Sequence, residues 1–268
     1  MSDPLRAVIL GIIEGLTEFL PVSSTGHMVL AMPTLGIDGR MPPWPPFLYF
    51  IQIGAILAVA VHFRRPLWRQ TITRPATGLH NHLLVKLFVG VLPAAAVGIP
   101  LNDLAEAHLE KPVPIAIALI LGAGVMIAIE RGRRRDTGPS IDEVTLRHAF
   151  LIGLTQCVSI IPGTSRAMAT IMGGMLVGLP ATTAVEFSFY LAIPTICGAG
   201  LYRLVKDAGQ LSTNHTAVLA IGFVVSFLVA WAVVAGFMRY IRSRSLEPFA
   251  IYRILLGAAV LAYGWLAV

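Results

Sequence analysis

Apolar residues run along this chain in long blocks, not in the spaced stripes of a soluble helix. Six blocks, Phe47–Phe63, Leu83–Leu101, Val113–Ile129, Phe187–Tyr202, Thr216–Met238 and Phe249–Val268, match or approach the length needed to cross about 30 Å of hydrocarbon as helices. The first and fourth are short. Two further apolar segments, residues 7–35 and 149–179, are interrupted by Pro, Gly, Ser and Thr and carry Glu14, Glu18 and Arg166. These are poor spans and are expected to be re-entrant helix–loop–helix units. Carboxylates interrupt the first of them and no small-residue cleavage site follows, so it is not expected to be a signal peptide. The pattern predicts an all-α integral membrane protein.

Composition supports that reading. With 56% hydrophobic residues, 13% charged residues and a mean hydropathy of +0.77, the chain lacks the charge that coats a soluble domain. This excludes a cytosolic enzyme, a secreted disulfide scaffold, a disordered chain and a coiled coil. The net charge of +6 does not imply nucleic acid, because the basic residues sit between apolar blocks, where they set orientation. Loop 64–82 holds Arg64, Arg65, Arg69 and Arg74, loop 130–148 holds Arg131, Arg133, Arg134, Arg135 and Arg147, and loop 239–248 holds Arg239, Arg242 and Arg244. The alternate loops mix Lys111 with Asp103, Glu106 and Glu110, and Arg203 and Lys206 with Asp207, while Arg40 precedes the first span. The positive-inside rule therefore places the arginine-rich loops in the cytoplasm and both termini outside. Cys157 and Cys197 lie in apolar stretches without metal-ligand spacing and are expected to pack in the core.

Residues 1–145 and 146–268 are weakly self-similar. Leu10-Gly11 followed by Pro21-Val22-Ser23-Ser24-Thr25 matches Ile152-Gly153 followed by Pro162-Gly163-Thr164-Ser165-Arg166. Further on, Phe47, Phe50, Ile51 and Ile53 parallel Phe187, Tyr190, Leu191 and Ile193, and Leu121-Gly122-Ala123 parallels Leu256-Gly257-Ala258. Each half is one broken segment plus three spans, an odd number of crossings that turns the second half over. The expected architecture is an inverted-topology repeat whose two broken segments dip in from opposite faces and meet near the midplane. Irregular backbone at that depth must be buried in protein or line a wet cavity, which places a polar chamber there.

Glu14 and Glu18, four apart, share one helix face before Pro21. Carboxylates at such depth persist where they share a proton, bind a cation or meet an arginine. The hydroxyls, Gly26 and backbone N–H groups of Ser23-Ser24-Thr25-Gly26 suit a phosphate, and His27 can carry a proton near neutral pH. The plain alternative is a set of hydroxyls mending a broken helix beside a satisfied core histidine. Gly163-Thr164-Ser165 repeats the theme and adds Arg166, a guanidinium whose partner must be Glu14, Glu18 or a bound phosphate. Elsewhere, Glu186 is expected at the interface, with a pairing to Arg166 as the alternative, Gln52 is a candidate cavity residue, and His80 and His82 belong to a solvated loop. Arg253 is expected to snorkel from near a helix end.

Glu14-Gly15-Leu16-Thr17-Glu18-Phe19-Leu20-Pro21-Val22-Ser23-Ser24-Thr25-Gly26-His27 together with Pro162-Gly163-Thr164-Ser165-Arg166 strongly resembles the undecaprenyl-diphosphate phosphatase family of the bacitracin-resistance type, along the whole chain. The resemblance implies an enzyme of the bacterial cytoplasmic (inner) membrane that hydrolyses undecaprenyl diphosphate to the monophosphate carrier of peptidoglycan synthesis, aided by a divalent cation. It also implies that the glutamate pair and the two runs are the catalytic and diphosphate-binding elements. On that basis Glu18, Ser24, His27 and Arg166 are the candidate catalytic residues, and Ser23, Thr25, Gly26, Gly163, Thr164 and Ser165 the candidate diphosphate-binding ones. Glu14 and Glu18 are the candidate ligands of Mg²⁺ or Ca²⁺. Ser24 is the favoured nucleophile with Glu18 or His27 as base, and direct attack by water is the alternative. A phosphatidic-acid-phosphatase-type site is excluded, because the residue six after Arg166 is Met172 where that type needs histidine. The expected partners are the lipid substrate and the bilayer, the site is expected to open to the periplasmic or outer face, and the pattern leaves room for a homodimer. The same architecture would also suit a lipid-phosphate flippase or proton-coupled secondary transporter.

Overall fold

The computed structural model describes residues 1–72, 78, 81–132, 138–206 and 215–266. Arg74, His80, Arg133, Arg134, Arg135 and Asp207 lie outside the described residues, as do the side chains of Asp103 and Glu106. Among the described residues there is no strand. The helices are α1 (Asp3–Thr17), α2 (Ser24–Thr34), α3 (Trp44–His62), α4 (Arg64–Ile72), α5 (Leu83–Leu109), α6 (Pro112–Gly132), α7 (Leu146–Gln156), α8 (Arg166–Leu176), α9 (Ala181–Lys206), α10 (Thr216–Tyr240) and α11 (Glu247–Leu266). Six of them, α3, α5, α6, α9, α10 and α11, are long and apolar enough to cross a membrane, and they fall on the six predicted blocks. The protein is a multi-pass membrane protein.

The boundaries differ where polar residues face protein instead of water. The predicted fourth span starts at Phe187, yet α9 begins at Ala181, because its polar first turns are satisfied internally. Thr183 Oγ1 donates to the Pro139 carbonyl at 2.9 Å, and the Tyr190 hydroxyl donates to Glu186 Oε1 at 2.6 Å. Residues 64–82 were expected to form a loop, but the first nine make helix α4, which buries none of its residues and leaves Trp68 and Ile72 exposed. An arginine-rich helix with an exposed tryptophan directly after a span has the make-up of an interfacial helix. The cysteines also depart from expectation: Cys197 is exposed and Cys157 only half-buried.

Packing crosses between the two halves of the chain. Helix α1 lies against α10 and α7 against α5; α3 meets α10 and α5 meets α9; α2 meets α11 and α6 meets α8; α3 pairs with α9 and α6 with α11. The closest approaches use glycine, as expected where helices associate without a hydrophobic drive from water. A side chain at Gly11 would bring its Cβ to 2.9 Å from the Gly222 carbonyl of α10, and one at Gly153 would collide with the Gly90 carbonyl of α5. At Gly15 a Cβ would stand 2.8 Å from the Ser226 carbonyl and 2.9 Å from the Ala230 amide, both backbone atoms. Gly15→Val is therefore expected to force α1 off α10 and to cost about 1–3 kcal/mol, seen as a lower unfolding temperature in detergent. An unfolding temperature equal to the wild type would contradict this packing. An aromatic cluster of Phe19, Phe63, Phe189 and Tyr190 fills the core beside the α1–α2 turn, with Phe19 edge-on to Phe189 at 5.5 Å and Phe63 edge-on to Tyr190 at 5.3 Å.

Candidate active site

Helix α1 ends because Pro21 follows it, and α2 starts after a tight reversal. Between them Ser23 adopts φ = 74°, a conformation rare for a residue with a side chain, and its Oγ caps α2 by accepting from the Gly26 amide at 3.4 Å. The second broken segment ends the same way. A 3-10 turn (Cys157–Ile160) leads into Gly163 at φ = 94° and Ser165 at φ = 73°, whose Oγ caps α8 through the Met168 amide at 3.2 Å. Gly163 admits no side chain, because a Cβ there would lie 2.5 Å from the Ile115 carbonyl. Two serines held in the same uncommon conformation, one per turn, mark a strained pair of loops of the kind found at functional sites.

The two turns meet through Glu18. Ser24 Oγ donates to Glu18 Oε2 at 2.9 Å, and Arg166 Nη2 donates to Glu18 Oε1 at 3.0 Å. Both members of the ion pair are about a tenth exposed, which removes most solvent screening. The guanidinium lies 5.8 Å over the Phe19 ring and donates from Nη1 to the Ser188 carbonyl at 3.4 Å, while Nε is buried and has no partner among the described residues. Glu14 sits one turn before Glu18, 2% exposed, with Oε1 also lacking a partner among the described residues. A buried donor and a buried acceptor are thus left open on the two residues that flank Glu18, and they leave room for an anion and for a cation or proton respectively.

The remaining predicted residues divide. His27 is turned away from Ser24: Nδ1 lies 2.7 Å from the Ser23 carbonyl, and Nε2 lies 2.6 Å from the hydroxyl of Tyr252, whose ring stacks on the imidazole. A carbonyl only accepts, so Nδ1 carries the hydrogen, and in the neutral ring Nε2 accepts from Tyr252. Thr25 is half-buried beside these groups and Thr164 is buried in its turn. Gly26 faces Leu119 and Leu256, so its small size serves packing of α2, and its amide serves the cap. Glu186 pairs with Tyr190, not Arg166. Gln52 is half-buried on α3, and His82 caps α5 by accepting from the Leu84 amide.

Arg253 corrects the sequence reading most. It does not snorkel: it is fully buried, and its guanidinium donates to the carbonyls of Pro21, Gly163, Ala118 and Leu119. Its position seven residues inside α11, a helix otherwise apolar from there on, was the available signal that it points inward, since an intramembrane charge faces protein by default. Tyr252, Ser188 and Thr170 had no such signal. The last two hydroxyls lie 2.6 Å apart and lock α8 to α9 beneath Arg166.

Known proteins are similar to this chain along nearly its whole length. The profile of the family described as bacitracin resistance protein BacA matches residues 7–259. A protein named undecaprenyl-diphosphatase from Acidovorax ebreus is 42% identical over 262 residues, 97% of this chain and 95% of that protein. One of the same name from Pseudomonas fluorescens is 41% identical over 263 residues, with the same coverage. Undecaprenyl-diphosphatase 2 from Paramagnetospirillum magneticum is 43% identical over 256 residues, 95% of this chain and 96% of that protein. Because both the profile and these relatives span nearly the whole sequence, including both turns and the residues that meet at Glu18, the chain belongs to the BacA family of bacitracin resistance proteins.

Proposed function

We propose that this protein hydrolyses undecaprenyl diphosphate to undecaprenyl phosphate and inorganic phosphate, returning the lipid carrier to cell-wall synthesis and so conferring bacitracin resistance. Its relatives carry that activity in their names. The observation that carries the reading is the Glu18 carboxylate shared between a serine hydroxyl and a buried guanidinium, at 2.9 and 3.0 Å. That is the spacing of a nucleophile, its base and a phosphate-binding cation. Ser24 Oγ attacks the terminal phosphorus, Glu18 takes its proton, and undecaprenyl phosphate leaves. Glu18 hands that proton to the departing undecaprenyl phosphate, and water then hydrolyses the phosphoserine, its proton passing through Glu18 to the leaving Ser24 Oγ as inorganic phosphate is released. Arg166 turns its open Nε and fork toward the phosphate oxygens, assisted by Ser23, Thr25, Thr164 and Ser165. Glu18 is preferred to His27 as base because the serine hydroxyl already donates to it, whereas both imidazole nitrogens are engaged elsewhere.

Glu14 and Glu18 would hold a divalent cation, Mg²⁺ or Ca²⁺, and the open Glu14 Oε1 beside a second carboxylate fits an oxygen-seeking ion completed by phosphate oxygens. Such an ion, when bound, would neutralise charge on the diphosphate.

The architecture proposed for this site is two inverted repeats, residues 1–145 and 146–268, in the bacterial cytoplasmic membrane with the site open to the outer face. Exchange of the halves maps the pairing of α1 with α10 onto that of α7 with α5, of α3 with α10 onto that of α9 with α5, and of α2 with α11 onto that of α8 with α6, although the packing of α8 on α9 has no like counterpart between α2 and α3. The matched glycines Gly11 and Gly153 each press on a glycine carbonyl of the other half, which supports the repeat. The arginines at Arg64, Arg65, Arg69, Arg131, Arg239, Arg242 and Arg244 favour the orientation. Single cysteines replacing Lys111 and Arg244, in a chain without its two native cysteines, are expected to react with an impermeant thiol reagent from opposite faces. Reaction of both from one face would remove the inversion.

Purified protein in detergent, given undecaprenyl diphosphate, is expected to release inorganic phosphate. Binding or movement of the lipid with no phosphate released would replace the phosphatase by a flippase or proton-coupled transporter. Within the phosphatase, His27 holds the Ser23 carbonyl and is itself held by Tyr252. His27→Ala and Tyr252→Phe are therefore expected to lower kcat by similar factors, on the order of tenfold, the worth of one hydrogen bond. A loss in His27→Ala as deep as that in Ser24→Ala would return the base role to His27.

A further inference from the structure

Arg253 holds a positive charge in the core with no carboxylate within hydrogen-bond reach among the described residues, bonded instead to four backbone carbonyls. An apolar side chain would fill that space without the large desolvation cost of a guanidinium, so packing alone does not account for it. Its contacts are specific. Nε donates to the Leu119 carbonyl at 3.2 Å and Nη1 to the Pro21 carbonyl at 3.3 Å. Nη2 is shared at 3.2 Å between Ala118 and Gly163. Pro21 stands three residues before Ser24, and Gly163 three residues before Arg166. One side chain from α11 therefore grips both turns at the same distance upstream of the serine and the guanidinium that meet at Glu18, and ties both to α6. Four carbonyls exceed the three donors of a lysine ammonium, all on one atom, whereas the guanidinium spreads five N–H groups over three nitrogens in a fixed plane. The sequence also leaves room for it, because a side chain at Gly122 of α6 would overlap Nη2.

We propose that Arg253 is a positioning residue for phosphate release: it fixes the register of the two turns, and thereby the approach of Ser24 to a phosphate held by Arg166. The proposal rests on the phosphatase reading for its kinetic readout but not for its structural one. Arg253→Gln, Arg253→Lys and Gly122→Ala are compared with the wild type in detergent. Hydrogen–deuterium exchange is followed over residues 18–23 and 161–165, and phosphate release is measured from farnesyl diphosphate, a short polyprenyl diphosphate. In Arg253→Gln, exchange is expected to rise in both turns and kcat to fall about a hundredfold, as for a misplacement near 1 Å, with KM changed by less than about threefold. Arg253→Lys keeps a charge and part of the donor set and is expected to recover kcat to within about tenfold of the wild type. Gly122→Ala displaces the guanidinium without removing it. It is expected to lower kcat about tenfold alone and to add less than that to Arg253→Gln, because the two changes share the Arg253 contact while the new Cβ also stands 2.9 Å from the flexible end of Met168.

Unchanged exchange in both turns of Arg253→Gln overturns the proposal, and so does raised exchange with wild-type kcat. Equal losses in the Lys and Gln variants, with KM rising in step with kcat loss, reduce Arg253 to a general structural role and also overturn it. Should Arg253→Gln fail to fold, Gly122→Ala decides by the same two readouts. A wild type that releases no phosphate refutes the phosphatase reading instead, and the exchange comparison still decides whether Arg253 holds the turns.

Discussion

Ser24→Ala is expected to bring phosphate release down to background while the lipid diphosphate still binds. The hydroxyl donates to Glu18 across 2.9 Å at the first residue of α2, where the helix N-terminus and the Arg166 guanidinium flank the same point. Binding survives because Ser23, Thr25, Thr164, Ser165 and Arg166 remain. A serine that merely donated one hydrogen bond to a charged group would be worth about 1.5–3 kcal/mol, or roughly tenfold to a hundredfold in rate. Loss beyond that range marks the nucleophile, and a modest loss marks a water attacking in its place. Glu18→Gln should be as damaging as Ser24→Ala, because the amide cannot take the proton and also leaves Arg166 buried without its carboxylate. Trapping a phosphoserine at residue 24 on rapid acid quench would be the direct positive result. Substantial turnover in Ser24→Ala would assign the attack to water with Glu18 as base.

Arg166→Lys is expected to keep the fold and lose about a hundredfold to a thousandfold in kcat, the scale for removing an oriented charged donor from a reacting anion. Lysine can still meet Glu18, but a point charge cannot also hold the Ser188 carbonyl and present a second N–H to phosphate. Arg166→Ala should be worse on two counts. It removes the cation, and it strands the Glu18 carboxylate in a site about a tenth exposed, a stability cost of about 3–5 kcal/mol. Kinetics and thermal unfolding on the same preparations separate the two effects: the lysine variant should unfold near the wild-type temperature and the alanine variant well below it. Wild-type turnover in Arg166→Lys would remove the assigned role.

The six crossings were legible because a bilayer permits few ways to satisfy backbone hydrogen bonds, so a long apolar block has one reading. The same logic singled out Glu14, Glu18 and Arg166, whose charges are out of place in such blocks. What it missed follows from its own assumptions. Polar residues satisfied inside the protein look like the end of a span, which hid the first two turns of α9 around Thr183 and Glu186. An arginine beside aliphatic residues looks like one that reaches for water, which misplaced Arg253. The hydroxyl pair of Thr170 and Ser188 and the seat of His27 on Tyr252 depend on which helices become neighbours. A run of residues carries no trace of that until the repeats are laid over one another in space.

The crossed pairing of the two halves bears on how the protein is made. Helix α1 finds its partner only when α10 has been synthesised, and the Gly15 seat against Ser226 joins residues roughly two hundred positions apart, a separation that slows closure and leaves intermediates exposed. Until then the segment carrying both glutamates rests only on α2 and α3, without the α10 surface that covers the rest of it, and must wait at the membrane interface or in the care of the insertion machinery. A nascent chain released after the third span would hold the nucleophile and its base yet have nowhere to seat them. Either half expressed alone should be degraded, whereas the two halves made together as separate chains can still find each other and assemble.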